Sequence, residues 1–205
     1  MAAHAIGAHD AHDDHHHGPP EAHRSSRVEP AFLGMLLFII SEVMIFGAFF
    51  TAYFFIRVVG GAEWPAAGDE LPKLIAGFNT AILISSSFTI HFAQESIKKN
   101  NRLGLQTGMV LTWLLGATFL FIQINEYVHI GFSPQDSAQG SIFYGLTGLH
   151  GAHVTIGLML LTFVTIRAFR GHYSAVAYRG MEVPGIYWHF VDVMWIIVFT
   201  TVYIL

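Results

Sequence analysis

A chain of 205 residues that is 53% hydrophobic and 12% charged, with a mean hydropathy of +0.51, is too apolar for an ordinary soluble domain, and its apolar residues come in runs of twenty or more. The formal charge of −4 supplies no basic stripe to neutralise phosphates, so nucleic acid is not an expected partner. With no cysteine, disulfides, cysteine-ligated iron–sulfur clusters, covalently attached haem and a thiolate-ligated copper pair are all ruled out.

The first segment, residues 1–30, holds seven of the thirteen histidines together with Asp10, Asp13, Asp14 and Glu21, and almost no large apolar side chain. Such a composition cannot bury a core, and a disordered His-rich tail is expected. It lacks the apolar centre of a secretory signal and carries too many acids for a transit peptide, so it is expected to stay attached. His15-His16-His17 offers imidazoles to a divalent metal, but without a second shell it reads as a solvated tract.

Five apolar segments follow, at residues 33–58, 73–97, 104–126, 142–167 and 184–205. Segments of this length rise ~33 to 39 Å as helices against a hydrocarbon core of ~30 Å, so each can span with some tilt. The expected fold class is therefore all-α: a polytopic membrane bundle of five helices, residues 31–205, behind the tail. The Gly60–Pro65 loop reads as punctuation and interfacial anchoring. With five crossings, Arg24, Arg27, Lys98, Lys99, Arg102, Arg167, Arg170 and Arg179 share one side, against only Arg57 and Lys73 on the other. The positive-inside rule then places the amino terminus in the cytoplasm and Leu205 outside, with the acidic loop of Glu63, Asp69 and Glu70.

The polar residues inside these spans are the candidate site, because an ionisable group at membrane depth needs a partner and is by default a functional hypothesis. Glu42 lies nine residues into the first span and His153 at a matching depth in the fourth, each ~14 Å from the same face. A Glu42–His153 hydrogen bond is predicted, as a neutral acid with imidazole or a carboxylate with imidazolium; sequence leaves both open. His150 stands one turn from His153 on the same face, where Gly148 and Gly151 offer small-residue contacts to a neighbouring helix. His189 and Asp192, three apart in the last span, are expected to bond each other or another helix. His91 and Glu95 on the second span, and Glu126 and His129 at the end of the third, lie nearer the surfaces. Glu95 beside Lys98 and Lys99 reads as an interfacial salt bridge. Asn79, Ser85, Ser86 and Ser87 read as interhelical hydrogen-bond formers. For the histidines, structural bonding between helices competes with haem ligation and proton relay. For Glu42, packing competes with a lipid- or proton-linked role.

Four stretches in register carry a family resemblance: Ile39-Ile40-Ser41-Glu42-Val43, Asn125-Glu126-Tyr127, Thr147-Gly148-Leu149-His150-Gly151-Ala152-His153-Val154, and Tyr187-Trp188-His189-Phe190-Val191-Asp192-Val193-Met194-Trp195. Together they resemble subunit III of the haem-copper cytochrome c oxidases, in its short five-helix bacterial form. The resemblance implies an accessory subunit with no catalytic centre, haem or copper of its own. It implies direct packing on the catalytic subunit I, with subunit II and a small subunit IV in the complex, haem and copper in those partners, and bound phospholipid. It also implies support of proton uptake and residence in the bacterial plasma membrane. By motif match, Glu42 corresponds to the family's intramembrane carboxyl, and His150, His153, His189 and Asp192 to its buried polar set. Longer members have two further helices ahead of the first span, where this chain has its His-rich tail. On that cytoplasmic side, the tail's imidazoles would collect protons for uptake.

Other readings remain at this stage. The same role in a quinol oxidase or nitric oxide reductase cluster is the nearest, with Ser41-Glu42 favouring the cytochrome c type. A free-standing transporter or proton channel lacks the expected inverted repeat and discontinuous helices. A haem-binding membrane cytochrome predicts a Soret band in the isolated chain.

Overall fold

The computed structural model of the chain describes residues 30–59, 61, 71–175 and 178–205. The expectations for the His-rich tail and for the loop at residues 62–70 lie outside the described residues. Five long helices account for the rest: α1 (Pro30–Phe54, continued by a π-helical turn, Phe55–Val59), α2 (Lys73–Lys98), α3 (Arg102–His129), α4 (Ala138–Phe169) and α5 (Glu182–Phe199, continued by a π-helical turn, Thr200–Ile204). Each is long and apolar enough to cross a membrane, and no strand occurs among the described residues. The chain is a multi-pass membrane protein.

The helices begin and end where local chemistry tells them to. Asn100, with φ of 56°, makes the turn after α2, a left-handed position that asparagine tolerates better than most residues. Asn101 then caps α3 by accepting from the Gly104 amide at 3.0 Å, and Ser137 caps α4 through the Gly140 amide at 2.9 Å. These caps start α3 and α4 two and four residues earlier than hydropathy alone indicates. Pro184 falls in the first turn of α5, where its missing N–H removes no helical bond.

The helices alternate in direction, giving the bundle a Pro30 end and a Leu205 end. α2 and α3 form its tightest pair. Down α3, Gly104, Gly108, Thr112 and Gly116 recur at four-residue spacing, one row on a helix face. A Cβ on Gly104 would lie 2.5 Å from Ser96 Oγ, and one on Gly108 2.8 Å from Ala93 Cβ; Thr89 and Thr112 share a 2.8 Å hydrogen bond between them. Small residues therefore let the backbones close until van der Waals packing, the main attraction available in hydrocarbon, is maximal. α5 is the most enclosed helix, with Tyr187, Trp188, Trp195 and Tyr203 each no more than 1% exposed. α1 lies at the margin. It buries only Phe46 and Tyr53 and leaves Leu36, Leu37, Ile40, Val43 and Met44 outward, as befits a helix whose solvent is lipid or a partner.

Candidate intramembrane polar site

α1 reaches α4 through one polar contact at depth. His153 Nε2 lies 2.9 Å from Glu42 Oε2, with both side chains largely enclosed, while Nδ1 of the same ring lies 2.8 Å from the carbonyl oxygen of Leu149, one turn back on α4. A carbonyl can only accept, so Nδ1 carries a hydrogen. In a neutral imidazole Nε2 is then an acceptor and the Glu42 carboxyl donates; in an imidazolium Nε2 donates to a carboxylate. Either way one proton lies between the two atoms and the pair is neutral as a whole. Phe46, one turn along α1, packs its ring 5.1 Å from the imidazole and excludes water from that side.

The second constellation joins α2 to α5. Ser87 Oγ donates to Asp192 Oδ2 and lies 3.1 Å from His189 Nδ1. A hydroxyl has one hydrogen, so His189 Nδ1 must donate to it. The two residues do not bond each other; they share one serine on a neighbouring helix. Ser87→Ala removes both contacts and leaves a buried carboxyl without any hydrogen bond, which typically costs ~1–3 kcal/mol. A lowered melting temperature of the purified protein, smaller when Asp192→Asn is added, is the expected result.

The third ties α3 to α5: the Tyr203 hydroxyl donates to Glu126 Oε1 at 2.7 Å. Beside it, Tyr127 donates to Thr147 Oγ1 of α4 at 2.8 Å. At the same end Tyr53 donates to the Thr201 carbonyl at 2.7 Å, and Arg57 donates to Tyr53 Oη and to the Leu205 carbonyl.

Residues 16–205 match the sequence profile of cytochrome c oxidase subunit III. The chain belongs to the cytochrome c oxidase subunit III family. Among its relatives are the cytochrome c oxidase subunit 3 of Thermostichus vulcanus, 44% identical over 174 residues that cover 84% of this chain and 86% of the relative, and that of Synechocystis sp., 43% identical over 192 residues that cover 93% and 78%. The Drosophila melanogaster subunit is 40% identical over 176 residues, covering 83% of this chain and 67% of the relative.

Each motif that carries the subunit III resemblance supplies a side chain that bonds between helices: Glu42 to His153, Glu126 to Tyr203, Thr147 to Tyr127, and Asp192 and His189 to Ser87. Several expectations change in detail. His150, fully buried, makes no hydrogen bond to the described residues. Three residues along a helix is a 60° turn, which carries its ring away from α1 and against Trp195, at 4.7 Å, and Phe119, at 5.7 Å. Nor do Gly148 and Gly151 admit a close neighbour, since a Cβ there would meet nothing nearer than 4.0 and 3.9 Å. The close approach to α5 is at Gly116 and Gly157, where a Cβ would meet the Trp188 indole at 2.5 and 2.8 Å. Ser85 bonds its own helix, through the Ala81 carbonyl at 2.7 Å, because it faces outward. Asn79, by contrast, donates to the Phe119 carbonyl of α3 at 3.1 Å, and Ser86 accepts from Trp188 Nε1 at 2.9 Å.

Of the residues nearer the surfaces, Glu95 pairs with Lys98 at 2.6 Å, an exposed contact of small worth. His91 is exposed, and His129 Nδ1 lies 2.8 Å from the Asn125 carbonyl. No three or more His, Asp or Glu side chains among the described residues gather as a metal site. Sequence reasoning missed Ser87 as a shared partner and Tyr203 as that of Glu126. The depth-matching that pairs Glu42 with His153 would have found the second, since Glu126 and Tyr203 both lie at the Leu205 end.

Proposed function

We propose that this chain is the redox-silent subunit III of a proton-pumping haem-copper oxidase of the cytochrome c type. It packs directly on the catalytic subunit I beside subunit II and a small subunit IV, in a bacterial plasma membrane with Pro30 toward the cytoplasm. The observation that carries this reading is that Glu42, His153, His189, Asp192 and Glu126 are each bonded to another helix of the same chain. Such groups brace a bundle. The names of the relatives supply the assembly. The orientation draws on the excess of basic residues, among them Lys98, Lys99, Arg102 and Arg170, at the Pro30 end.

In this role the haem and copper sit in the partner subunits and phospholipid covers the outward apolar face of α1. Glu42 and His153 hold a proton at depth, with His150, His189 and Asp192 as the polar interior behind them. His91, Glu95 and Glu126 flank that set toward the surfaces.

Solubilisation in mild detergent tests the proposal: the chain should co-migrate with a haem-bearing partner and show no Soret band once separated from it. Migration alone, or stoichiometric haem on the isolated chain, would overturn it. Glu42→Gln preserves a neutral donor for His153 Nε2, so the oxidase should still assemble, while its resistance to inactivation during turnover should fall. Loss of assembly in that variant would mean that Glu42 acts through packing alone.

A further inference from the structure

Five buried side-chain atoms in the Leu205 half of the bundle have no hydrogen-bond partner among the described residues: Asn79 Oδ1 on α2, Gln123 Oε1 and Glu126 Oε2 on α3, and His150 Nδ1 and Nε2 on α4. None of these four residues is more than 5% exposed. They are neighbours around one aromatic cluster. Asn79 bonds the carbonyl of Phe119, one turn before Gln123. The Phe119 ring meets the His150 ring at 5.7 Å, and Trp195 touches both, at 4.9 and 4.7 Å. Tyr203, 6.5 Å from Trp195 between ring centres, donates to the other oxygen of Glu126, and its hydroxyl oxygen accepts from the Gln123 amide.

The chemistry of these atoms selects what they hold. Asn79 Oδ1 and Gln123 Oε1 can only accept, Glu126 Oε2 accepts when ionised, and a neutral imidazole offers one donor and one acceptor. A cation would leave the imidazole donor unmatched, an anion would meet the carbonyl oxygens, and an acyl chain would satisfy none of them. Water both donates and accepts. A buried water makes about three hydrogen bonds, so five open atoms match roughly two waters. A cavity of about 300 Å³ borders the cluster at Glu126 and runs past Ile75 and Pro72 to the exposed Asn125 and His129, which gives water a route as far as the Glu126 carboxyl.

We propose that Asn79, Gln123, Glu126 and His150 form a hydrated site inside the bundle, holding a short row of ordered waters supplied from the Leu205 end. The waters complete the hydrogen bonding of four side chains from three helices. They also place the Glu126–Tyr203 pair in contact with that membrane face, apart from Glu42 and His153.

Radiolytic hydroxyl labelling of the intact complex in ¹⁸O-water, read by mass spectrometry, tests this, because radicals form from bound water beside the side chains they mark. Phe119 and Tyr203 are as shielded as Trp188, whose Nε1 is already bonded to Ser86. After correction for intrinsic reactivity, Phe119 and Tyr203 should label several-fold faster than Trp188. Gln123→Leu, which at similar volume removes an open acceptor and the amide that bonds Tyr203, should bring both down toward Trp188. Equal labelling of all three in the unaltered complex would overturn the proposal, as would unchanged labelling in the variant. The first comparison decides even where the variant does not accumulate.

Discussion

His153→Leu should loosen α1 from the bundle more than Glu42→Leu does, and the double variant should recover much of the loss. The asymmetry follows from what each change leaves behind. Removing the imidazole strands a carboxyl at membrane depth, with only 13% of the Glu42 side chain exposed, and breaking one side of a buried pair typically costs ~3–5 kcal/mol. Removing the carboxyl strands only Nε2 of a ring whose Nδ1 is still bonded to Leu149, a cost of ~1–3 kcal/mol. Replacing both leaves two apolar side chains in contact, which is often close to neutral. α1 buries only Phe46 and Tyr53, so the pair carries a large share of its attachment. Melting curves of the four proteins in one detergent form a double-mutant cycle. Additive losses would mean that Glu42 and His153 are not coupled.

Gly116→Val is expected to be the most damaging single apolar substitution in the bundle. Its Cβ would lie 2.5 Å from Cη2 of Trp188, with Leu158 Cδ2 at 3.1 Å behind it, and the indole cannot retreat, since Gly157 of α4 holds its other edge and Ser86 its nitrogen. Overpacking of this kind costs ~1–3 kcal/mol and sometimes more. The Trp188–Ser86 bond is worth less, roughly 0.6 kcal/mol by the average for interhelical bonds in membranes. Steric fit therefore outweighs hydrogen bonding at this position. Trp188→Phe in the Gly116→Val background should restore stability despite losing that bond, whereas alone it should lower stability. Gly148→Ala, which meets nothing closer than Tyr127 Oη at 4.0 Å, should change little. Thermal denaturation of the purified protein distinguishes these four outcomes.

The five spans were legible from hydropathy because hydrocarbon demands that every backbone bond close within its own segment, which leaves long apolar helices as the available answer. The Glu42–His153 contact was legible because depth in a membrane follows from residue count at a fixed rise. What residue count cannot supply is rotation about the helix axis and the order in which helices stand side by side. Those decided that Ser87 serves both Asp192 and His189, that His150 turns to Trp195 rather than to α1, and that Trp188 fills the gap left by Gly116 and Gly157. The four-residue row of Gly104, Gly108, Thr112 and Gly116 was visible in the sequence, yet equally small residues at Gly148 and Gly151 stand where nothing approaches. Small residues permit a close approach, and only a neighbour whose surface fits them brings it about.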